Sequence, residues 1–320
     1  MTRRIGSLSC TCVTLLSLAY GTPDGLAQEP ASGDSPPLAD YAASEDPPLF
    51  ESSEQAVAAF KDTVGSGDVA KLAALLGLDA ARIKASEAVM ATYKDIQAGV
   101  REKVLVKDVE GLKVIEIGNK LWPLPFPLVQ GSDKKWSFDT FKGLEEIANR
   151  NVGENELQAL TTVRAYLEAQ ENYASQDHDG DGVLEYAQKL ISSDGQQDGL
   201  YWPADAWGGV ESPAGEGLDD GGTLNQREPG QGYFGYRYQI LTGQGPNIVG
   251  GEFDYVINGN MIAGFALVAW PIDYGVSGVK TFVVNRNGVV YEADLGAETA
   301  KIASAIRTFN PGDDWDVVAD

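Results

Sequence analysis

Cysteine is the residue type whose distribution most restricts what this chain can fold into. Both cysteines of the 320-residue sequence, Cys10 and Cys12, lie close to its start. Everything after Cys12 must therefore fold without disulfides, thiolate nucleophiles or zinc–thiolate sites. The length is sufficient for two ordinary domains with separate hydrophobic cores. We expect the fold to be stabilised by such cores or by ions bound to oxygen ligands.

Residues 1–27 have the pattern of a signal peptide. Two arginines precede an apolar run over residues 13–19, and small residues around position 25 favour cleavage after Ala27. This apolar run is too short to cross a membrane, and no later run reaches about 18 apolar residues. The sequence therefore predicts a periplasmic or secreted protein with no transmembrane segment in the mature chain.

Residues 28–48 are rich in proline, serine, alanine and acidic residues, a composition typical of a disordered linker. The whole chain carries a formal net charge of -23, so it repels the phosphate backbone of nucleic acids. We expect no nucleic-acid partner. An acidic exported protein of this kind is better suited to divalent cations, and to an unknown envelope protein or a second copy of itself.

The segment 49–141 is predicted to be an α+β domain in which helices precede strands. Ser52 and Gln55 have the spacing of a capping box at the start of a first helix. Asp68 is placed to cap a second helix that ends at Gly77. A third amphipathic stretch covers residues 85–98, and short strands are predicted over residues 103–109, 113–117, 128–130 and 135–139.

The segment 142–320 is predicted to be a second α+β domain, in which a long helix packs on an antiparallel meander. One helical segment crosses Leu144 and Ile147, and a second begins near Glu154. The apolar face predicted for this second helix consists of Leu157, Leu160, Val163, Leu167 and Tyr173. After a glycine-rich acidic loop over residues 192–232, strands are predicted over residues 236–241, 253–257, 262–270, 281–285 and 289–293.

The segment from Asp177 to Glu185 has the spacing of a calcium-binding loop. Carboxylates at loop positions 1, 3, 5 and 9 can point inward from a tight turn, and a glycine at position 6 lets the backbone turn sharply. Hard Ca²⁺ prefers such oxygen ligands. The candidate ligands are Asp177, Asp179, Asp181, the carbonyl of Val183, Glu185 and Gln188. Gln188 occupies position 12, where an EF-hand has a bidentate glutamate.

Two other interpretations of the acidic residues stay open. The same loop could be a solvated acidic turn that caps a following helix. In either case we expect His178 to be exposed between the carboxylates and to serve as neither base nor ligand. A second acidic cluster could also meet a cation, although its spacing is unspecific and more typical of a mobile loop. That cluster consists of Glu211, Glu216, Asp219 and Asp220.

No catalytic set can be identified from the residue types. His178 is the only histidine, and the serines of the acidic loop region, Ser192, Ser193 and Ser212, have no histidine to activate them. Our leading hypothesis is thus an exported non-enzymatic interaction or assembly module stabilised by Ca²⁺. The alternatives are a carboxylate-dependent hydrolase of cell-wall or extracellular polysaccharide and a small-ligand carrier.

Several segments together closely resemble one bacterial family of secreted proteins. They include GLEEIANRNVGENELQAL, RAYLEAQENYASQDHDGDGVLEYAQKL, DGLYWP, WPLPFPLV and WSFDT. The family is domain of unknown function 2950, and the similarity covers residues 49–318. The resemblance implies a shared architecture and carries no established activity.

Two looser resemblances bear on the separate halves. Residues 50–140 resemble the cone-shaped fold of the nuclear transport factor 2 superfamily, which implies a curved sheet around a pocket. In that case the stretch 122–127 could border the pocket, although its prolines and aromatics are more typical of a rigid connection. Residues 154–295 are similar to type IV pilin and pseudopilin heads, some of which bind calcium. The chain lacks the hydrophobic N-terminal helix that builds their filaments.

Overall fold

The computed structural model describes residues 38–215 and 232–319, and its fold is the mixed α+β class that the sequence predicts. All strand pairs of its sheets are antiparallel. The α-helices of the described residues are α1 (Ser53–Ser66), α2 (Val69–Leu76), α3 (Ala80–Ala85), α4 (Glu87–Glu102), α5 (Thr140–Tyr173) and α6 (Thr299–Ser304).

The helix ends in the first half form where capping residues predict them. The Ser52 hydroxyl accepts a hydrogen bond from the Gln55 backbone N–H at 3.3 Å, and Asp68 accepts from the first turn of α2. Gly77 ends α2 at a φ of 70°, the left-handed conformation in which glycine carries no Cβ penalty. The third predicted helix, over residues 85–98, corresponds to α4, which Ser86 caps, and the short helix α3 before it was not predicted.

Residues 38–48 differ from the disordered linker that their composition predicts. Leu38–Tyr41 forms a 3₁₀ turn, and the following residues pair with the end of α2. The Ala43 N–H donates to the Gly77 carbonyl and the Asp79 N–H donates to the Tyr41 carbonyl, both at 2.8 Å. Backbone pairing of this kind is independent of side-chain composition, so composition alone could not reveal it.

The first sheet follows the helices, and four of its five strands match the predicted ones within a residue, whereas β3 was not predicted. It contains β1 (Val104–Val109), β2 (Leu112–Ile117), β3 (Trp122–Pro123), β4 (Leu128–Gln130) and β5 (Trp136–Phe138). The strand order is β1-β2-β4-β5, and β3 pairs with β2. Helices and sheet enclose one apolar core, which includes Phe60, Ile115 and Leu128.

The proline-rich stretch 122–127 forms a partly buried connection to this core. Leu124 and Phe126 are buried, whereas Trp122 is 38% exposed. The Phe126 ring lies against Gly143 of α5, where an added Cβ would come within 1.9 Å of a ring carbon. Since no side chain fits there, Gly143 lets α5 pack closely on the first core.

Helix α5 is continuous from Thr140 to Tyr173, so the prediction of two helical segments is wrong. The expected break lies near Gly153, where an added Cβ would meet nothing within 4 Å. A glycine inside a helix costs only about 1 kcal/mol relative to alanine. Burial offsets that cost because α5 contributes Leu144 near one end and Tyr166 farther along to the buried part of the molecule.

The buried face of α5 also differs from the predicted apolar one. Leu157 is 65% exposed, and Leu160 and Leu167 are only partly buried. Val163 and Tyr173 are buried as predicted, and the other buried residues of this part of the helix are Ala159, Thr162, Tyr166, Ala169 and Gln170. Tyr166 and Gln170 can be buried because their polar groups are hydrogen-bonded within the protein.

The second sheet packs its strands in the order β14-β13-β12-β11-β6. Its members are β6 (Tyr236–Leu241), β11 (Ala266–Pro271), β12 (Lys280–Asn285), β13 (Val290–Asp294) and β14 (Asp316–Val317). β11 is buried throughout, and the Tyr166 hydroxyl of α5 donates to the Ala266 carbonyl. The sheet and α5 thus enclose a second core that includes Phe265 and Phe282.

Two short hairpins precede the central strands of this sheet. One consists of β7 (Gly243–Gln244) and β8 (Phe253–Asp254), and the other of β9 (Val256–Ile257) and β10 (Asn260–Met261). The single strand predicted over residues 253–257 is therefore wrong. Tyr255 separates its two halves, and its N–H donates instead to the Thr242 carbonyl at 2.7 Å.

Candidate functional site

The candidate ion site, here called the ion loop (residues 177–185), follows the C-terminal end of α5. Asp177, Asp179 and Asp181 each offer a carboxylate oxygen, and these oxygens lie within 4.8 Å of one another. All three residues are exposed. Gly180 and Gly182 have φ values of 79° and 87°, a backbone conformation that turns the loop sharply and that few other residues adopt easily.

Backbone N–H groups of the loop point at the first carboxylate. Asp177 Oδ1 accepts from the Gly180 N–H at 2.7 Å, and Oδ2 accepts from the Gly182 N–H at 2.9 Å. These two bonds, the Gly182 bond above all, hold the pKa of Asp177 below its ordinary value. The loop is therefore built around an ionised Asp177.

The ion loop is tied to the β9–β10 hairpin. Asp181 Oδ2 accepts from the Asn260 side-chain amide at 2.7 Å, and Glu185 Oε2 accepts from the Met261 N–H at 3.0 Å. Just beyond the loop, the Tyr186 N–H donates to the Met261 carbonyl at 2.8 Å. These contacts join two segments that are distant in the sequence.

The other predicted ligands lie around the aspartate cluster in different roles. The Val183 N–H donates to Asp181 Oδ1 at 2.7 Å. The Gln188 side-chain amide donates to the Gly259 carbonyl at 2.7 Å, on the same hairpin. Glu185 is half-buried, and this burial, followed by the charge of nearby Asp179, raises its pKa.

No lysine or arginine of residues 38–215 and 232–319 forms an ion pair with the three aspartates. Within this part of the chain, the groups that offset their mutual repulsion are N–H donors. Three hard oxygen ligands held this close suit a divalent cation such as Ca²⁺.

His178 is half-buried, contrary to the prediction that it would be exposed. Its ring stacks on Tyr173 with centroids 4.1 Å apart, and Nε2 lies 3.1 Å from the Tyr173 carbonyl oxygen. Trp202 lies on another side, at a centroid distance of 5.6 Å. The ring packs the start of the ion loop onto the end of α5.

Gln170 is the residue of this region that sequence reasoning missed. It is fully buried, and its side chain pairs with both backbone groups of Ala187, donating to the carbonyl at 2.8 Å and accepting from the N–H at 2.9 Å. Its amide also donates to the Tyr166 hydroxyl at 3.0 Å. The available sequence signal is a glutamine one helical turn after a tyrosine, on a face that also carries Tyr173.

In a second loop nearby, here called the closed loop (residues 192–199), the negative charge of Asp198 is balanced by a lysine. Lys189 forms an ion pair with Asp198, and its ammonium group also donates to the Ser193 hydroxyl at 2.7 Å. Asp198 further accepts from the Ser193 N–H at 2.7 Å. Burial acts to raise the pKa of Asp198, but hydrogen bonds from Lys189 and Ser193 outweigh it and lower the pKa.

A cleft of about 540 Å³ lies beside the two loops. Its volume is in the range of small-molecule sites, which span roughly 300–1,000 Å³. Asp179 and Glu185 reach it from the ion loop, and Asp198 reaches it from the closed loop. The remaining lining residues are Tyr173, His178, Tyr186, Gln188, Lys189, Gly195, Gln196, Gln197 and Trp207.

The second acidic cluster can be located only in part. Glu211 is exposed, and Glu216, Asp219 and Asp220 lie outside the described residues. The predicted signal peptide, with Cys10 and Cys12, also lies outside them.

No helix within residues 38–215 or 232–319 combines the length and the apolar character that a membrane crossing requires. No curated protein and no solved structure matched the chain. The model of one family, described as a protein of unknown function (DUF2950), matches residues 48–318. Since this match spans nearly all of the chain after the predicted linker, the protein belongs to the DUF2950 family.

Proposed function

We propose that this protein is an exported, non-enzymatic envelope protein that serves as a calcium-stabilised interaction or assembly module. The observation that carries the proposal is the convergence of Asp177, Asp179 and Asp181 within 4.8 Å on a loop with calcium-type spacing. Its partner would be another envelope protein or a second copy of the chain.

A bound Ca²⁺ would act as a structural cross-link. It would be held by the three aspartates, with the Val183 carbonyl, Glu185 and Gln188 as the further oxygen ligands that the spacing suggests. Since Asp181 and Glu185 also bond to the β9–β10 hairpin, an ion on the loop would strengthen the connection between α5 and that hairpin. A ligand that binds only the folded state stabilises it.

The non-enzymatic part of the proposal is supported by the lack of an activated nucleophile in the cleft region. Ser193 has a lysine 2.7 Å from its hydroxyl, the arrangement closest to a serine–lysine pair there. The Lys189 ammonium, however, also forms an ion pair with Asp198, and an ammonium group has no lone pair with which to accept a proton. His178, the only histidine, packs between Tyr173 and Trp202.

Thermal unfolding in a chelator and in excess Ca²⁺ tests the calcium site. We expect Ca²⁺ at a hundredfold excess over its Kd to add about 2.7 kcal/mol to the free energy of unfolding. The double variant Asp179→Asn/Asp181→Asn should not respond. A matched control, Asp313→Asn/Asp314→Asn, removes two exposed carboxylates elsewhere and should respond as the parent does. An equal response of both double variants would contradict the proposal.

Export can be tested independently of calcium. N-terminal sequencing of the protein recovered from outside the inner membrane should begin at Gln28 if cleavage follows Ala27. Recovery of the chain only from the cytoplasm, with its first residues intact, would contradict the envelope assignment while leaving the calcium result standing.

A further inference from the structure

The geometry points to a saccharide-binding cleft between the ion loop and the closed loop. We propose that the 540 Å³ cleft binds a neutral sugar unit of a glycan. This role goes beyond calcium stabilisation, since it gives the module a ligand class of its own.

Aromatic rings form part of the cleft wall. Tyr173 and His178 are stacked with their centroids 4.1 Å apart, and Tyr186 and Trp207 also line the cleft. Tyrosine and tryptophan combine a large apolar face with a polar edge. A sugar ring has the complementary character, since C–H groups cover its faces and hydroxyls surround its rim.

Polar groups that are free to hydrogen-bond to a ligand lie beside these rings. Among the described residues, the side-chain amides of Gln196 and Gln197 and the indole N–H of Trp207 have no hydrogen-bond partner in the protein, although all three side chains line the cleft. An amide offers both donors and an acceptor, and a sugar hydroxyl is likewise both. The cleft can therefore hydrogen-bond to several hydroxyls of one ligand.

The charges of the cleft decide which ligands it rejects. Asp179, Glu185 and Asp198 are acidic, and Lys189, the only lysine or arginine among the described residues that line the cleft, is paired with Asp198. An anionic ligand, such as a phosphorylated or carboxylated sugar, would be repelled. If Asp179 and Glu185 serve the ion, as in the proposed function, the groups left for a ligand are neutral amides and aromatic rings. That combination favours an uncharged, polyhydroxylated ligand over an organic cation.

Calorimetric titration of the purified chain with neutral trisaccharides tests the inference. The probes are trimers of glucose, mannose, galactose, xylose and N-acetylglucosamine, and choline is the cationic comparison. We expect binding of at least one trimer, a loss of about tenfold or more in affinity for Trp207→Ala, and no loss for Trp122→Ala. Trp122 is the matched control because it is 38% exposed and pairs within the first sheet, outside the cleft.

Because Trp207 also packs against the second core, Trp207→Ala could lose binding through misfolding, and a second variant separates the two causes. Gln196→Ala removes an exposed side chain and should weaken binding several-fold while leaving the melting temperature unchanged. The inference is overturned if no trimer binds, if choline binds in place of the sugars, or if Trp122→Ala weakens binding as much as Trp207→Ala. Titrations in Ca²⁺ and in chelator separate it from the proposed function, because a chain that is stabilised by Ca²⁺ but binds no sugar refutes the cleft alone.

Discussion

The closed loop and the ion loop border the same cleft, yet they balance their carboxylates in opposite ways. In the closed loop, Asp198 is neutralised by Lys189 and bonded to Ser193. In the ion loop, Asp177, Asp179 and Asp181 are gathered with no lysine or arginine paired to them in the described part of the chain. The carboxylate of the first loop is paired with a lysine, whereas those of the second have no counter-charge among the described residues.

The contrast indicates how one acidic chain can use the same residue type for two purposes. A carboxylate next to a lysine contributes to a loop's own stability, in an amount that is small when the pair is partly exposed. Carboxylates packed together without a counter-charge repel one another, and this repulsion favours binding of a divalent cation.

Gln170→Ala should produce the largest effect because the Gln170 side chain holds the segment between the two loops against α5. Ala187, which follows the ion loop and precedes the closed loop, would lose the partners of both its backbone groups. Two buried unpaired groups and a new cavity should cost roughly 3 kcal/mol or more of unfolding free energy, measurable by urea denaturation. Gln130→Ala, an exposed glutamine bonded only to the Lys134 carbonyl, is the control and should cost under about 0.5 kcal/mol. Equal losses of unfolding free energy in the two variants would contradict this role of Gln170.

Asp198→Ala should cost about 1–2 kcal/mol, since it removes hydrogen bonds from Ser193 and a partly exposed ion pair with Lys189. The stabilisation by Ca²⁺ should stay unchanged, because the closed loop needs no ion. Asp194→Ala, an exposed residue of the same loop, is the control and should be close to neutral. If Ca²⁺ no longer stabilised the Asp198→Ala variant, Asp198 would contribute to calcium binding, and the two loops would not be functionally distinct.

Asp179→Asn should shift the melting temperature in opposite directions under two conditions. In chelator it should raise the midpoint slightly, because it relieves repulsion among three clustered carboxylates. In Ca²⁺ it should lower the midpoint, because a charged ligand is lost. Asp194→Asn also removes one charge and should shift both midpoints in the same direction. If Asp179→Asn also shifted both midpoints in the same direction, the ion loop would be only a solvated acidic turn.

The pH dependence of the closed loop should give the smallest signal. The pKa of Asp198 is lowered in the folded chain from an ordinary value of 3.8, so its contribution is present above that value. It is lost as the pH falls through the lower folded pKa. The stability difference between the parent and Asp198→Asn should therefore be constant above about pH 5 and shrink below about pH 4. A difference that grows on acidification would contradict the assignment of Asp198 as the ionised partner.

Local features of this protein could be predicted from sequence wherever the physics is local. The caps at Ser52 and Asp68 and the glycine stop at Gly77 depend on contacts within a few residues, and all three are confirmed. The proximity of Asp177, Asp179 and Asp181 is local in the same sense, since a short loop with two glycines determines which side chains converge. The mixed α+β class and the family follow from patterns that extend along the whole chain.

The remaining features depended on contacts between distant segments. Leu157 is exposed and Gln170 is buried because packing of α5 on the sheet, and the hydrogen bonds available there, outweigh the apolar periodicity of the helix. His178 is covered by Tyr173 and Trp202, a partner that lies 24 residues further along the chain. The cleft itself exists only where the end of α5, the two loops and Trp207 come together. Sequence thus determined which groups are near each other along the chain, while tertiary packing decided which of them are buried, paired or left open, because burial and hydrogen bonding depend on neighbours in space.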